Sequence, residues 1–311
     1  MQFDQENVEL FFYWINERHN IYLKRLAGQP APWTDDEIMR AYKFTNPFRE
    51  NDRVTIWMRR HWTQPNNNKP WGLQIFNTCL FRMFGTPEYA EAVGWQEEWN
   101  PGHLKRVARE RLDNKQKVFT GAYIVTNQGL TSPKEEVVVD HFLAPIWEAK
   151  EDLADLAHGD PYLQVFHNEL SKYRGWGGGG FMAYEVVTDL NHMPVLSLAF
   201  DAFRWANAGP GAKRGLNRLS NRPLNASGIN WNDEMRDLLD EYAPQHLGAH
   251  IPMNEVDMRC IEHSLCEWDK WMRVHQDQGR PRSKVNYMWG LSWPVEEGTV
   301  NRGKGAWEYN G

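Results

Sequence analysis

The chain has 311 residues, 41% of them hydrophobic, and a formal net charge of −6. This length is enough to bury a substantial core in one large domain or two smaller ones. The negative charge argues against diffuse binding of nucleic acid by the whole surface, although a local basic groove stays compatible with it. The three cysteines are widely spaced and form no CxxC pair, so the sequence suggests neither a disulfide framework nor a thiolate zinc site.

The amino terminus has no basic region followed by an apolar run, and no apolar stretch approaches the ~18 residues that span a bilayer. We therefore expect a soluble protein of a reducing cytoplasm with no membrane partner. The 16 tryptophans allow two interpretations. They either build a large aromatic core or include a few rings that stack on a flat ligand such as a base.

Helix signals follow one another along the chain. The first is an apolar stripe through Val8, Phe11, Ile15 and Tyr22 that predicts a helix ending at Gly28. The run "TDDE" at 34–37 is typical of a capping box that starts a second helix. A polar or capping residue followed by proline marks further helix starts, at Asn46-Pro47, Thr86-Pro87, Asn100-Pro101, Ser132-Pro133 and Asp160-Pro161. Together these signals predict an all-α protein.

The remaining segments are less regular. Residues 117–126 are β-branched and aromatic, which fits either a short strand or a buried helix. The glycine loop at 174–181 is either a flexible connection or a close backbone approach to a phosphate or base. Residues 254–277 form an apolar stripe that predicts a long helix ended by Gly279 and Pro281. Residues 285–311 have no periodicity and predict an extended tail.

The run "NAGPGAKRGLNRL" at 207–219 places a Gly-Pro-Gly turn before a basic helix. With the helical pattern upstream, it predicts a helix, a turn and a second helix. Backbone amides at the start of that second helix can hold a DNA phosphate. The residues predicted to contact DNA on this basis are Gly209, Gly211, Lys213, Arg214 and Arg218. An ordinary turn with a solvated basic face is the alternative. If the turn grips a phosphate, Gly211→Val should weaken DNA binding and leave the fold intact.

Charged side chains also lie beside apolar stripes. Arg18 shares a face with aromatic residues of the first helix, and Arg49, Asp52 and Arg53 stand three and four apart. In the long C-terminal helix, a second stripe joins Glu262, Cys266, Asp269 and Arg273. Charges beside a core form either a buried ion-pair network or a cleft in which arginines hold an anion while a carboxylate takes a proton.

Five blocks of the chain together resemble one family of phage proteins. They are residues 17–57, 119–127, 177–190, 209–216 and 262–273. The runs "PWTDD" and "KFTNPFRENDR" in the first block are long and specific. The family that they resemble is the alpha-glutamyl/putrescinyl thymine pyrophosphorylases, also described as amino acid:DNA transferases. A related helical domain accompanies phage 5-hydroxymethyluracil DNA kinases.

The resemblance implies that residues 1–284 form a helical DNA-modifying domain similar to the helix-hairpin-helix DNA glycosylases, with the hairpin near 207–219. The implied substrate is double-stranded DNA in which a DNA kinase has led to pyrophosphorylation of the hydroxymethyl group of 5-hydroxymethyluracil. The amine of an amino acid, with glycine favoured, would displace the pyrophosphate. Such a phage protein would work in the host cytoplasm.

The resemblance also suggests roles for individual residues, most of them in the matching blocks. Cations that neutralise pyrophosphate would lower the barrier to its departure, and the implied clamp is Arg18, Arg49, Arg53 and Arg273. Lys270 would bind the carboxylate of the amino acid. The carboxylates able to take a proton from the amine are Glu262, Asp269 and Glu185. A base flipped out of the duplex would stack on Trp14, Trp33 or Trp268.

Two other functions stay open. A DNA glycosylase would need a catalytic aspartate about twenty residues beyond the hairpin, where the chain offers only Asp233 in a segment without a strong motif. A non-catalytic DNA-binding partner of a separate kinase is the other alternative. The chain has no match to the complete P-loop pattern, so we do not expect it to phosphorylate DNA. No metal site is predicted, and the sequence leaves open whether Mg²⁺ assists the departure of pyrophosphate.

Overall fold

The computed structural model describes residues 3–281 and 283–285. Over these ranges the chain forms helices and irregular connections, and its only β-type contact is an isolated antiparallel bridge between Tyr42 and Lys284. The predicted all-α class is confirmed. The predicted tail at 285–311 lies, after Val285, outside the described residues. No helix in the described ranges has the length and apolar character needed to cross a membrane.

The α-helices of the described ranges are numbered in chain order. They are α1 (Gln5–Leu26), α2 (Glu37–Ala41), α3 (Arg53–Met58), α4 (Trp71–Phe84), α5 (Pro87–Val93), α6 (Pro101–Asp113), α7 (Lys134–Val137), α8 (Ala144–Gly159), α9 (Leu163–Leu170), α10 (Phe181–Leu190), α11 (Pro210–Leu219), α12 (Trp231–Asp237), α13 (Ala243–His246) and α14 (Met258–His275). The predicted first and last long helices correspond to α1 and α14. Asp4 caps α1 by accepting a hydrogen bond from the N–H of Asn7 at 3.0 Å.

Proline marks some of the predicted helix starts and not others. Helices α5 and α6 begin at the predicted Pro87 and Pro101. Helix α9 begins two residues after Pro161, because the carboxylate of Asp201 accepts from the N–H groups of Leu163 and Gln164 at 2.7 and 2.9 Å. At Pro47 no α-helix starts, and the chain instead turns into a 3₁₀ segment at Arg49–Asn51.

Two further local predictions are wrong. The N-cap of α2 is Asp36, which accepts from the N–H of Met39 at 2.7 Å, and Thr34 accepts from the N–H of Asp36 at 3.1 Å. The cap is therefore two residues later than the predicted box. Residues 117–126 form neither strand nor helix. Val118 and Val125 are buried there without regular structure, so the β-branched side chains provide burial rather than strand pairing.

Three segments of π-helix, Arg59–Thr63, Val138–Leu143 and Leu238–Tyr242, were not anticipated. Each lies just before a proline that the helical path continues through: Pro65, Pro145 and Pro244. A proline ring collides with the carbonyl four residues earlier and offers no N–H to it. In all three cases that carbonyl lies inside the π segment, so the wider turn relieves the collision.

The chain divides into two compact units inside the range for which the sequence predicted one domain. Unit 1 contains the described residues 3–53 and 202–285, and unit 2 contains residues 54–201. In unit 2, α4 packs on α8 and α10. In unit 1, α14 contacts α1, α2, α11 and α12, so it forms the centre of that unit.

The predicted helix–turn–helix around Gly-Pro-Gly is not formed by the two helices expected. Helix α10 ends at Leu190 in unit 2, whereas α11 begins at Pro210 in unit 1. Residues 191–209 between them are a series of turns, the first closed by the Asn191 side chain, which donates to the carbonyl of Leu196 at 2.8 Å. The basic helix after the turn is confirmed, but its partner helix is α14.

Candidate functional site

Unit 1 brings most of the predicted site residues onto or beside α14. Helical spacing divides this helix into two faces. One face carries Glu262, Cys266, Asp269 and Arg273 and lies against α11 and the bend before it. The other carries His263, Glu267 and Lys270 and contacts residues 44–45. Two predicted regions that are distant in sequence, 44–53 and 207–219, therefore both contact α14.

Helix α11 approaches α14 closely through two glycines. A Cβ atom added to Gly211 would collide with the Sγ of Cys266 and lie 3.2 Å from its Cβ. A Cβ atom added to Gly215 would lie 2.7 Å from the carbonyl oxygen of Leu265. Both glycines are buried. Gly211 therefore serves helix packing, and its substitution would not leave the fold intact, in contrast to the expectation from the sequence. The contact of its backbone N–H with a phosphate stays a prediction.

The carboxylate of Asp269 lies between three arginines. It accepts from the Nε of Arg214 and the Nε of Arg218, each at 2.9 Å. The Nε of Arg273 lies 3.7 Å away. Asp269 is 0% exposed, so it is a buried ion-pair centre, which is the structural alternative that the sequence left open. Both of its oxygens already accept from these arginines, so a proton-acceptor role for Asp269 would require an ion pair to break, and that role stays a prediction.

The basic patch of α11 is consequently smaller than the sequence indicated. The side chain of Arg218 is 5% exposed and also donates to Gln276 and Gln278, at 2.5 and 2.8 Å, so it is not placed to contact DNA. The side chain of Arg214 remains 38% exposed. Lys213 is half-buried and lies over the ring of Trp231 at 5.9 Å. Arg214 and Lys213 are therefore the cations of α11 that an anionic polymer can reach.

The bend before α11 reaches the surface, since Pro210 is exposed and Gly209 is half-buried. The N–H of Gly209 donates to Oε1 of Glu262 at 3.3 Å. Oε2 of the same carboxylate lies 3.4 Å from Nη1 of Arg259. An acidic group beside the first turn of a helix is favoured by the helix dipole. A DNA phosphate at this bend would therefore have to compete with Glu262.

Residues 44–50 form the second part of the site. The Nε of Arg18 donates to the carbonyl of Phe44 at 2.9 Å. The N–H of Thr45 donates to Glu267 at 2.9 Å, and its hydroxyl lies 2.6 Å from Nε2 of His263. Glu267 also accepts from Lys270 at 2.7 Å. Helices α1 and α14 thus hold this segment from two directions.

The arginines predicted for the pyrophosphate clamp occupy different environments. Arg49 is 18% exposed and lies 3.5 Å from Asp52. Arg53 is exposed. The side chain of Arg273 is 39% exposed on the α11 side of α14. Lys270 pairs with Glu267 and lies over the ring of Phe44 at 4.9 Å, so its predicted contact with a carboxylate ligand would compete with Glu267.

His19 and Asn46 belong to this region and were missed by the sequence reasoning. His19 is 5% exposed, and its ring contacts the ring of Phe48 with centroids 5.0 Å apart. Burial lowers the pKa of His19 to about 4, with His250 lowering it further and a hydrogen bond to the side chain of Asn46 opposing the shift. The histidine is therefore neutral at pH 7. Both residues lie in the block 17–57, in which the predicted site residues were arginines and Trp33.

We expect the pH dependence of stability to reveal this neutral histidine. The pKa of His19 falls from 6.5 to about 4 on folding, so the unfolded state binds the proton more readily. The stabilisation is complete above pH 6.5 and is lost as the pH falls towards 4. Between pH 7.5 and 5 this group alone should remove about 2 kcal/mol. Urea unfolding at both pH values should show that His19→Gln has a correspondingly weaker pH dependence. An identical dependence in the variant would contradict the shift.

The predicted stacking residues separate into two kinds. Trp14 and Trp268 are both 0% exposed. Their rings pack on Phe44 and Phe11, with centroids 6.2 and 5.6 Å apart. Neither ring has an exposed face on which a flipped base could stack in this conformation, so their burial does not support the predicted stacking role. Trp33 is half-buried, with Arg25 over its ring at 5.2 Å. It is the one of the three that a base can approach.

Glu185 belongs to unit 2. It is 2% exposed on α10, and its Oε2 lies 3.5 Å from Nη1 of Arg82 on α4. The same arginine donates to both oxygens of Asp189. Glu185 is therefore part of a buried ion-pair network that joins two helices, and this setting does not support its predicted role as a base.

The glycine loop in unit 2 is an ordered turn. A Cβ atom at Gly175 would lie 2.5 Å from the ring of Phe142, and one at Gly177 would lie 2.7 Å from the carbonyl of Ser171. Trp176 between them is 0% exposed and donates to the carbonyl of Phe142 at 3.0 Å. These glycines permit close backbone packing around a buried indole.

In the part of the chain that the structure describes, no group of three or more His, Cys, Asp and Glu side chains could hold a metal ion.

Comparison with known proteins gives one family and one relative. The family described as "5-hmdU DNA kinase, helical domain" matches residues 5–280. The chain is 27% identical over 320 residues to a 5-hmdU DNA kinase of Bacillus phage SP10, and the match covers 89% of this chain and 48% of the relative. The chain thus spans about half the length of that curated relative. No solved structure matches.

Proposed function

Because this chain belongs to the family of 5-hmdU DNA kinase helical domains, we propose that it acts in the modification of DNA that contains 5-hydroxymethyluracil. The match over residues 5–280 includes parts of both units and every predicted site residue. This match is the observation that carries the proposal. As part of it, the chain is a phage protein that works on double-stranded DNA in the host cytoplasm, beside a DNA kinase.

The reaction that we propose is the transfer of an amino acid to pyrophosphorylated 5-hydroxymethyluracil. The neutral amine nitrogen attacks the exocyclic methylene carbon of the base. A carbon–nitrogen bond forms as the carbon–oxygen bond to pyrophosphate breaks, and pyrophosphate leaves with the bonding electron pair. The nitrogen then gives up a proton to a carboxylate. Glycine is the favoured amine, as the resemblance to amino acid:DNA transferases implies.

The charges of unit 1 suit this reaction. Arg49, Arg53 and Arg273 combine partial exposure with a position on or beside the segments that α14 holds together. Cations at such positions stabilise the charge that develops on a leaving pyrophosphate. Glu262 is the best-placed base of the three predicted, because it lies at the exposed bend before α11. Mg²⁺ stays an additional proposal for assisting the leaving group.

DNA binding is assigned to the outer side of α11. Lys213 and Arg214 are the cations that a phosphate backbone can reach. Exposed Pro210 and half-buried Gly209 allow the backbone of the bend to approach a duplex. A likeness to helix-hairpin-helix DNA glycosylases, with α11 following the turn, is part of this proposal.

The test is a nucleoside mass measurement. Double-stranded DNA containing 5-hydroxymethyluracil is treated with a 5-hmdU DNA kinase and ATP, then with this chain and glycine, and is digested to nucleosides. We expect a new nucleoside with the mass of thymidine that carries glycine on its methyl carbon. Arg49→Gln should lower its yield by about 100-fold, because one stabilising donor is lost. No new nucleoside with glycine or any other amino acid would overturn the transfer reaction.

Asp233→Asn is the matched control and also tests the glycosylase alternative. Asp233 pairs with Arg236 on α12 and is 49% exposed, so the variant should form the adduct at the wild-type rate. A glycosylase would instead produce abasic sites that Asp233→Asn abolishes.

The second candidate is a non-catalytic DNA-binding module of a kinase. The observation in its favour is that the chain matches about half of a protein named as a kinase. It predicts DNA binding, no adduct, and stimulation of the kinase on addition of this chain.

A further inference from the structure

Buried hydrogen-bond donors without partners surround residues 44–48 in unit 1. They are Nε1 of Trp14, Nη1 of Arg18 and Nδ2 of Asn46, each without a partner among the residues that the structure describes. All three side chains meet the same short segment. Trp14 packs on the ring of Phe44, Arg18 donates through Nε to its carbonyl, and Asn46 lies within the segment itself.

These three atoms can act only as donors. The orientation of the Asn46 amide is determined by its other contact, since Oδ1 accepts from the N–H of Phe48 at 2.8 Å. This leaves Nδ2 as the outward donor. Buried indole and amide donors are almost always paired in folded proteins. Acceptors from outside the protein, either a ligand or ordered water, would satisfy this group of donors.

We propose that Trp14, Arg18 and Asn46 bind the carboxylate of the amino-acid co-substrate. This inference rests on the proposed transfer reaction and assigns the part of unit 1 that holds the attacking molecule. It differs from the prediction that Lys270 binds that carboxylate, because Lys270 already pairs with Glu267. It also replaces the pyrophosphate-binding role predicted for Arg18 and the base-stacking role predicted for Trp14.

Charge favours a carboxylate over pyrophosphate here. The group offers one guanidinium and two neutral donors, which match an anion with a single charge. Buried multiple charges without counter-ions are strongly unfavourable. The other charges that act on Arg18 leave its cation poorly compensated: burial and Arg25 lower its pKa to about 10, against the attraction of Glu267 and Asp52. The Arg18 residue is half-buried, and its Nη1 atom is buried.

Neutral His19 completes the lining. Its Nδ1 is also buried without a partner, and its side chain is hydrogen-bonded to Asn46. A neutral imidazole can either donate to the carboxylate or accept from the ammonium or amine, according to its tautomer. It adds no charge that would repel or trap the ligand.

The test observes the indole N–H of Trp14 directly. The full chain is labelled with ¹⁵N-tryptophan, and the resonance that disappears in Trp14→Phe is assigned to Trp14. We expect glycine to shift this resonance in a saturable way. Methylamine, which has the amine but no carboxylate, and sodium pyrophosphate should not shift it at the same concentration. Asn46→Asp keeps the oxygen that caps Phe48 but turns the donor into a negative acceptor. It should weaken glycine binding at least about ten-fold.

The remaining indole resonances report whether Asn46→Asp keeps the fold, and Arg280→Gln is the control for loss of one exposed positive charge. That variant should bind glycine like the wild type. The inference is wrong if glycine leaves the Trp14 resonance unmoved, if Asn46→Asp binds glycine equally well, or if pyrophosphate or methylamine produces the same shift.

The adduct assay separates this inference from the proposed function. Adduct formation without a glycine-induced shift would reject the carboxylate site alone. Glycine binding without an adduct from any amino acid would reject the transfer reaction and leave the binding site standing.

Discussion

Asp269→Asn should lower the free energy of unfolding by about 3–5 kcal/mol. Asp269 is 0% exposed and is the carboxylate that Arg214, Arg218 and Arg273 share. The variant keeps the shape of the side chain but removes its charge and replaces one acceptor by a donor that faces guanidinium groups. Arg218 would then be a buried cation whose remaining contacts are the amide oxygens of Gln276 and Gln278. Urea denaturation at pH 7.5 measures the effect.

Asp233→Asn is the matched control for this experiment. It also neutralises an aspartate paired with arginine, but the side chains of Asp233 and Arg236 are 49% and 35% exposed. Exposed pairs contribute little, so the loss should stay within about 1 kcal/mol. Equal effects of the two substitutions would show that the Asp269 centre is not a buried structural ion-pair cluster.

Gly211→Val should destabilise the protein by about 3 kcal/mol or more, because α11 can no longer approach α14. Its Cβ would collide with the Sγ of Cys266 and lie 3.3 Å from the Cα of the same residue. Overpacking of this kind against a backbone cannot be relieved by a side-chain rotation alone. We expect DNA binding to fall together with the thermal unfolding temperature, in contrast to the sequence-based expectation of an intact fold.

Two further substitutions test whether the Sγ of Cys266 is the atom that an added Cβ at position 211 meets. Gly211→Ala should be destabilising by itself, and Cys266→Ala in the same chain should restore much of the loss, since it removes the Sγ atom. Gly121→Ala is the control: this exposed glycine has no atom within 4 Å of an added Cβ and no positive φ. Additive effects of Gly211→Ala and Cys266→Ala would contradict the close approach.

The charged residues on the α11 side of α14 differ in what they contact. The stripe of Glu262, Asp269 and Arg273 in α14 is a real feature of the sequence, but its members have different roles. Both carboxylate oxygens of Asp269 accept hydrogen bonds from arginines of α11, whereas Glu262 accepts from the N–H of Gly209 at the bend before that helix. Of the three carboxylates predicted as bases, Glu262 is the one beside the bend that reaches the surface, but it is 7% exposed and lies 3.4 Å from Arg259, so its role as a base stays a prediction. Activity measurements on Asp269 variants must therefore be compared with their stability.

The sequence by itself determined the all-α class, the long helices α1 and α14, and the starts at Pro87 and Pro101. These depend on contacts within a few residues: apolar spacing, a side-chain cap, or a proline whose missing N–H is not needed there. The blocks 17–57, 209–216 and 262–273 likewise pointed to a relation with the helical domain of 5-hydroxymethyluracil DNA kinases, which the family match supports, because such motifs are local strings of residues. The amino acid:DNA transferase family that they also resemble stays a prediction.

Only the tertiary structure decided what each charged or aromatic side chain does. Asp201 caps α9 from 38 residues away, and Asp269 reaches Arg214 and Arg218 across a helix interface. Trp14 and Trp268 are core residues, and the donors around residues 44–48 come from α1 and from that segment. Periodicity and spacing do not predict contacts between residues that are distant in sequence. A buried charged side chain needs a counter-charge within the protein, because it has lost its hydration. An exposed one does not, and it stays accessible to a ligand.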